Sequence, residues 1–87
     1  MAERRKIGAY ILMKIAPGKS RNITEEVARI EGVKTAHPVT GIYDIIAYIE
    51  ASDINNLTGT VRTKIQTLDG VLRTHTAIVG ELVTTGD

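Results

Sequence analysis

Between Ile7 and Ile15 the chain reads IGAYILMKI. Ile7, Ala9, Ile11, Met13 and Ile15 alternate onto one face of a strand, while Gly8, Tyr10, Leu12 and Lys14 take the other. Both faces carry apolar groups near the middle, as expected of an interior strand with something covering each side. Pro17-Gly18 breaks the strand. A helix follows, starting between Lys19 and Asn22 and ending near Ile30, because Ile23, Val27 and Ile30 form one apolar stripe. Asn22 with Glu25 three residues later has the spacing of a cap, and Ser20 is the competing start. Glu31-Gly32 ends this helix, since glycine tolerates positive φ. Val33 to Val39 reads as a second strand, with Pro38 marking it as an edge. Thr40-Gly41 turns the chain into DIIAYIE, from Asp44 to Glu50, a third strand with Ile45, Ala47 and Ile49 on one face and Ile46 and Tyr48 on the other. Ser52 or Asp53 caps a second helix that reaches about Thr67, with Ile54, Leu57, Val61, Ile65 and Leu68 in a three-and-four rhythm. Gly59 and the β-branched residues lower its intrinsic propensity, so packing must hold it. Asp69-Gly70 ends it, Val71 to Val79 forms a fourth strand, and Gly80 precedes a tail from Glu81 to Asp87.

An internal repeat supports this division. Ile30-Glu31-Gly32-Val33 resembles Leu68-Asp69-Gly70-Val71 at an offset of 38, and Ile23, Val27 and His37 match Val61, Ile65 and His75 at the same offset. Each half reads strand, helix, strand. The whole is then an α+β, ferredoxin-like βαββαβ sandwich, a four-stranded antiparallel sheet with two helices on one face. The other face, carrying Tyr10, Leu12, Ile46 and Tyr48, has no cover from its own chain. Exposed apolar area is costly, so a two-fold dimer through these four residues is the natural cover.

Composition narrows the functional classes. A chain of 87 residues predicts one domain, with a core over about residues 7 to 80. Without cysteine, disulfides, thiolate metal sites and cysteine catalysis are excluded. Eleven basic against ten acidic residues is too balanced to make nucleic acid or a membrane the default partner. Arg4-Arg5-Lys6 reads as a solvated terminus. No apolar run approaches the ~20 residues of a membrane span, and the start lacks the pattern of a secretory signal. A cytoplasmic protein is the expectation. No cofactor is expected, and two histidines without a clear third ligand make a poor metal site. Gly18-Lys19-Ser20 lacks the preceding glycines of a phosphate-binding loop.

Several stretches, in order, resemble the effector-binding domain of the Lrp/AsnC transcriptional regulators: AYILMKIAPGK, the Ile30-Glu31-Gly32-Val33 join, Val39-Thr40-Gly41-Ile42-Tyr43-Asp44, and Gly70-Val71-Leu72-Arg73-Thr74-His75-Thr76. The resemblance spans roughly Lys6 to Val79. Full regulators of this type carry an N-terminal helix-turn-helix, for which the six residues before the first strand leave no room. The expectation is therefore a stand-alone effector domain with no direct DNA binding. The resemblance also implies dimerisation through the sheet, assembly into rings such as octamers, an amino acid bound between dimers, and a full-length regulator as a further partner.

Carried over by position, the ligand candidates are Gly41, Ile42, Tyr43, Asp44, Arg73, Thr74 and Thr76. Gly41 permits close backbone approach, Asp44 suits an ammonium group, and Thr74 and Thr76 offer hydroxyls from one strand face. Tyr43 would wall the site, and Arg73, which suits a carboxylate, alternates away from the threonines. Each has a plainer reading beside it: Gly41 as a turn, Asp44 bonded to turn amides, Tyr43 at a dimer contact, the threonines as ordinary strand residues, Arg73 in a surface ion pair. His37 and His75 are candidate acid–base groups, but no nucleophile is evidently paired with them, and the reading is not an enzyme. The competing readings are a small dimeric α/β-barrel enzyme, an amino-acid-binding ACT domain, and a purely structural assembly module.

Overall fold

The computed structural model describes residues 6–80. Its elements are β1 (Ile7–Ile15), α1 (Ser20–Ala28), β2 (Val33–Pro38), β3 (Ile45–Ala51), α2 (Ile54–Thr60, continued by a π-helical turn over Val61–Ile65) and β4 (Val71–Ile78). The strands lie in the order β2-β3-β1-β4, and every neighbouring pair is antiparallel. This is the βαββαβ sandwich the hydrophobic pattern predicts, with β1 interior and the strand of Pro38 at an edge. The sheet is open: β2 and β4 are unjoined edges with β3 and β1 between them. The dimeric α/β-barrel architecture of the competing reading therefore does not hold, because the four strands form an open sheet with two unjoined edges. The tail expected over residues 81–87 lies outside the described residues.

One face of the sheet makes the core. Ala9, Ile11, Met13 and Ile15 of β1 and Ile45, Ala47 and Ile49 of β3 meet Ile23 and Val27 of α1 and Leu57, Val61 and Ile65 of α2, all almost wholly buried. Each large side chain of this set contributes about 1.5–3 kcal/mol by leaving water. No polar side chain is buried among the described residues.

The helix ends differ from their predicted chemistry. Asn22 is no cap; it lies inside α1, whose cap position is Lys19 with no side-chain hydrogen bond. Ser20 is the first helical residue, and its carbonyl accepts from the Thr24 hydroxyl at 2.7 Å. The helix stops at Ala28, two residues early, because the Arg29 and Ile30 amides bond back three residues, to Glu26 and Val27, and tighten the last turn. At α2 the expected cap is found: Asp53 accepts from the Asn56 amide at 2.7 Å. The second half of that helix widens into the π turn, closed by the Gln66 amide on the Val61 carbonyl at 2.8 Å. Thr63 and Thr67 each turn a hydroxyl back onto the carbonyl four residues earlier, at Gly59 and Thr63. Such back-bonding competes with the α-helical ladder, and the widened turn sets Gln66 facing β4.

The repeat is visible in the backbone. Gly32 and Gly70 both take positive φ, 97° and 105°. In both turns the following valine amide bonds back three residues, Val33 to Ile30 and Val71 to Leu68.

Candidate functional site

The helix-free face of the sheet is organised in rows. Strand register aligns His37, Ile46, Leu12 and His75 across the four strands, and beside them Thr35, Tyr48, Tyr10 and Ala77. The four residues expected at an interface, Tyr10, Leu12, Ile46 and Tyr48, therefore share this face at its centre. Tyr10 and Tyr48 lie with ring centroids 5.0 Å apart, and Tyr10 is 45% exposed. A Cβ on Gly8 would overlap the Tyr48 phenol, so the glycine lets that ring lie over β1. Burial, and then the neighbouring charge of Glu50, push the Tyr48 phenol above its ordinary pKa.

At one end of this face the loop between β2 and β3 folds against β1 and β4. The Val39 amide donates to the Asp44 carbonyl at 2.9 Å, and the Asp44 amide to the Met13 carbonyl at 2.8 Å. Gly41, at φ 142°, has open space around it, so backbone conformation selects glycine there. Ile42 is 79% exposed. The Asp44 carboxylate accepts from the Ile15 amide at 2.8 Å. Ile15 lies two residues past the last β1–β3 pair, Met13 with Ile45, so the carboxylate satisfies a donor beyond the end of that ladder. Lys14 Nζ sits 3.7 Å from the same carboxylate oxygen and 3.4 Å from the Ile42 carbonyl. The Tyr43 hydroxyl and His75 Nδ1 are 2.9 Å apart and share a hydrogen bond, with the rings edge to face.

The predicted ligand residues converge on this corner but divide between two faces. Arg73 aligns with Lys14 and points to the helix-free side, where Tyr43 meets His75. Thr74 and Thr76 align with Met13 and Ile11 and point to the helix side. Gln66 Nε2 donates to Thr74 Oγ1 at 2.9 Å, and a recess of about 300 Å³ lies against Gln66, Val71, Leu72, Arg73 and Thr74. Sequence reasoning missed two members of the corner, Lys14 and Gln66, and did not pair His75 with Tyr43. A β-strand places Lys14 beside Arg73 only once the register is known, and Gln66 reaches β4 through the π turn, which the three-and-four rhythm conceals. Among the described residues no cluster of three metal-ligating side chains occurs, and no helix is long and apolar enough to cross a membrane.

Comparison with known proteins agrees with the geometry. Residues 8–85 match the family described as the Lrp/AsnC ligand binding domain. A Pyrococcus abyssi protein named as an uncharacterized helix-turn-helix-type transcriptional regulator is 31% identical over 74 residues, covering 85% of this chain and 47% of the relative. The helix-turn-helix-type transcriptional regulator LysM of Sulfurisphaera tokodaii is 31% identical over 75 residues, covering 85% of this chain and 53% of the relative. The chain thus spans about half the length of these curated relatives. The crystal structure of a hypothetical protein from Pyrococcus horikoshii superposes with a TM-score of 0.80 at 32% identity, covering 87% of this chain and 92% of that one. With its βαββαβ sheet and the loop-to-β4 corner, the chain belongs to the Lrp/AsnC ligand binding domain family, a family of effector-binding regulatory domains rather than of enzymes.

Proposed function

We propose that this domain senses a small amino acid or related metabolite in the cytoplasm and transmits binding through self-association. The observation that carries the reading is the corner where residues 41–44 meet β4: exposed Ile42, a glycine-supported loop, paired Lys14 and Asp44, and hydroxyls at Thr74 and Thr76. The ligand groups are Gly41, Ile42, Tyr43, Asp44, Arg73, Thr74 and Thr76. Arg73 faces away from the two threonines, so both sets serve one ligand when a second copy brings its own corner alongside. Tyr10, Leu12, Ile46 and Tyr48 form the dimer contact, because the sheet face they occupy has no cover among the described residues. Dimers then build a larger ring, of up to eight copies. The domain also joins full-length Lrp/AsnC regulators and shifts their assembly; the transcriptional regulators among its relatives support this partner. Effector binding acts by unequal affinity for the assembly states.

The test is mass-resolved oligomeric state and thermal stability with and without each of the twenty amino acids. A ligand at one hundred times its Kd stabilises by about 2.7 kcal/mol. Asp44→Asn is the informative variant, since it removes the charge while retaining an acceptor for the Ile15 amide. Loss of the ligand response with an unchanged fold supports the reading; a fixed assembly with no response to any amino acid counts against it.

A further inference from the structure

A concavity larger than the corner recess lies elsewhere among the described residues. It lies at the opposite end of the sheet, a recess of about 660 Å³ between the turn after α1, the start of β2, the end of β3 and α2. Its size is within the range of small-molecule sites, ~300–1,000 Å³. Its lining includes Lys6, Arg29, Lys34 and Lys64, from four separate segments of the chain, against the two carboxylates Glu31 and Glu50. The whole chain carries a net charge of +1, so a local excess of two positive charges means that the recess gathers more than the molecule's balance. Among the described residues the ion pairs are Lys14 with Asp44 and Lys19 with Asp69; none of the four recess cations is in one.

The neutral polar groups of the lining are arranged similarly. Thr58, Thr63 and Thr67 of the α2 region each bond a hydroxyl back to a carbonyl of their own helix. Thr60, half-buried in the recess wall, makes no such bond among the described residues. Ser52 Oγ accepts from Asn56 Nδ2, which leaves its own hydrogen to donate outward. Cations and hydroxyl donors thus border one hollow in excess of its two carboxylates, Glu31 and Glu50. Like charges held around a concavity concentrate counter-ions.

We infer that this recess is a second binding site, separate from the corner and independent of its ligand, for a small metabolite bearing two or more negative charges. Phosphate esters and polycarboxylates share the required chemistry, and Glu31 is placed to accept from a hydroxyl of such a molecule. Titration calorimetry of the intact protein at physiological ionic strength tests this with pyrophosphate and citrate in separate arms. Saturable binding at one ligand per chain, with Kd at or below about 1 mM, is expected for at least one of them; the arm that binds identifies phosphate or carboxylate as the source. Lys34→Gln with Lys64→Gln should weaken it tenfold or more, whereas Arg21→Gln, an exposed α1 residue outside the recess, should leave it unchanged. Binding without saturation, binding equally lost in Arg21→Gln, or no heat in either arm overturns the proposal. A response to amino acids in the assembly assay is unaffected by that outcome, so the two sites fail separately.

Discussion

The turns after α1 and α2 begin from closely similar residues, Ile30-Glu31-Gly32-Val33 and Leu68-Asp69-Gly70-Val71. Each glycine takes positive φ, and each glycine carbonyl accepts from a backbone amide, Gly32 from Glu50 in β3 at 2.9 Å and Gly70 from Ala16, just past β1, at 2.8 Å. Their surroundings diverge. Over Gly70 lie the Lys19 side chain and Ile23, and Lys19 closes the turn by pairing with Asp69 at 2.9 Å. Over Gly32 lies the Glu50 backbone carbonyl, and Glu31 faces the open basic recess. A repeated backbone motif therefore fixes where the chain turns, while the neighbours it meets decide whether the turn is covered by an ion-paired side chain or borders the basic recess.

Equivalent core positions give the largest test of this comparison. Ile65 and Val27 are both wholly buried and occupy matching places in the repeat. Ile65→Ala should destabilise by about 2–5 kcal/mol, and Val27→Ala by about 1 kcal/mol less, because it removes one methylene fewer; denaturant melts of the two variants measure the gap. A reversed order would mean that the π turn lets α2 collapse onto the cavity.

The glycines come next. Both Gly32→Ala and Gly70→Ala force a side chain into positive φ, costing about 1–3 kcal/mol. A Cβ at Gly32 would also meet a backbone oxygen at 2.9 Å, whereas at Gly70 it meets Ile23 Cδ1 at 2.8 Å and Lys19 Cδ at 2.9 Å, the ends of side chains that can move. Gly32→Ala should therefore be the more damaging, read as the larger fall in melting temperature. Equal losses would show that φ strain alone decides.

Smaller still is the ion pair that covers the second turn. Asp69 is 95% exposed, so Asp69→Asn should cost less than about 1 kcal/mol, and less again at high salt. The smallest effect concerns Tyr48, whose phenol is raised above its ordinary pKa of 10.0. A folded-state pKa above the unfolded one gives stability that is complete below the unfolded value and is lost as pH rises through the folded one. Alkaline melts should show an added loss beginning near pH 10 that Tyr48→Phe removes.

The alternation of β1 and β3 and the repeat made most of the fold legible, because a buried strand and an amphipathic helix each impose a period on the sequence. Capping was less legible. Asn22 had a cap-like spacing but lies within α1, and the back-bonding threonines that accompany the widening of α2 look like ordinary helix residues in a string. The corner was legible in part. Gly41 announced a turn, but the plainer reading of Asp44 as a binder of turn amides identified the chemistry without the partner, the Ile15 amide 29 residues away.

What the sequence determined by itself is thus the order of elements, the buried stripe, the edge at Pro38 and the paired glycine turns, all properties of local period and backbone freedom. Tertiary structure alone decided that Tyr43 meets His75, that Gln66 holds Thr74, that Arg73 and the threonines face opposite ways, and that four cations surround one hollow. Those facts depend on strand register and on distances through space between residues far apart in the chain, and a side chain's nearest neighbour across a sheet leaves no trace in its neighbours along the backbone.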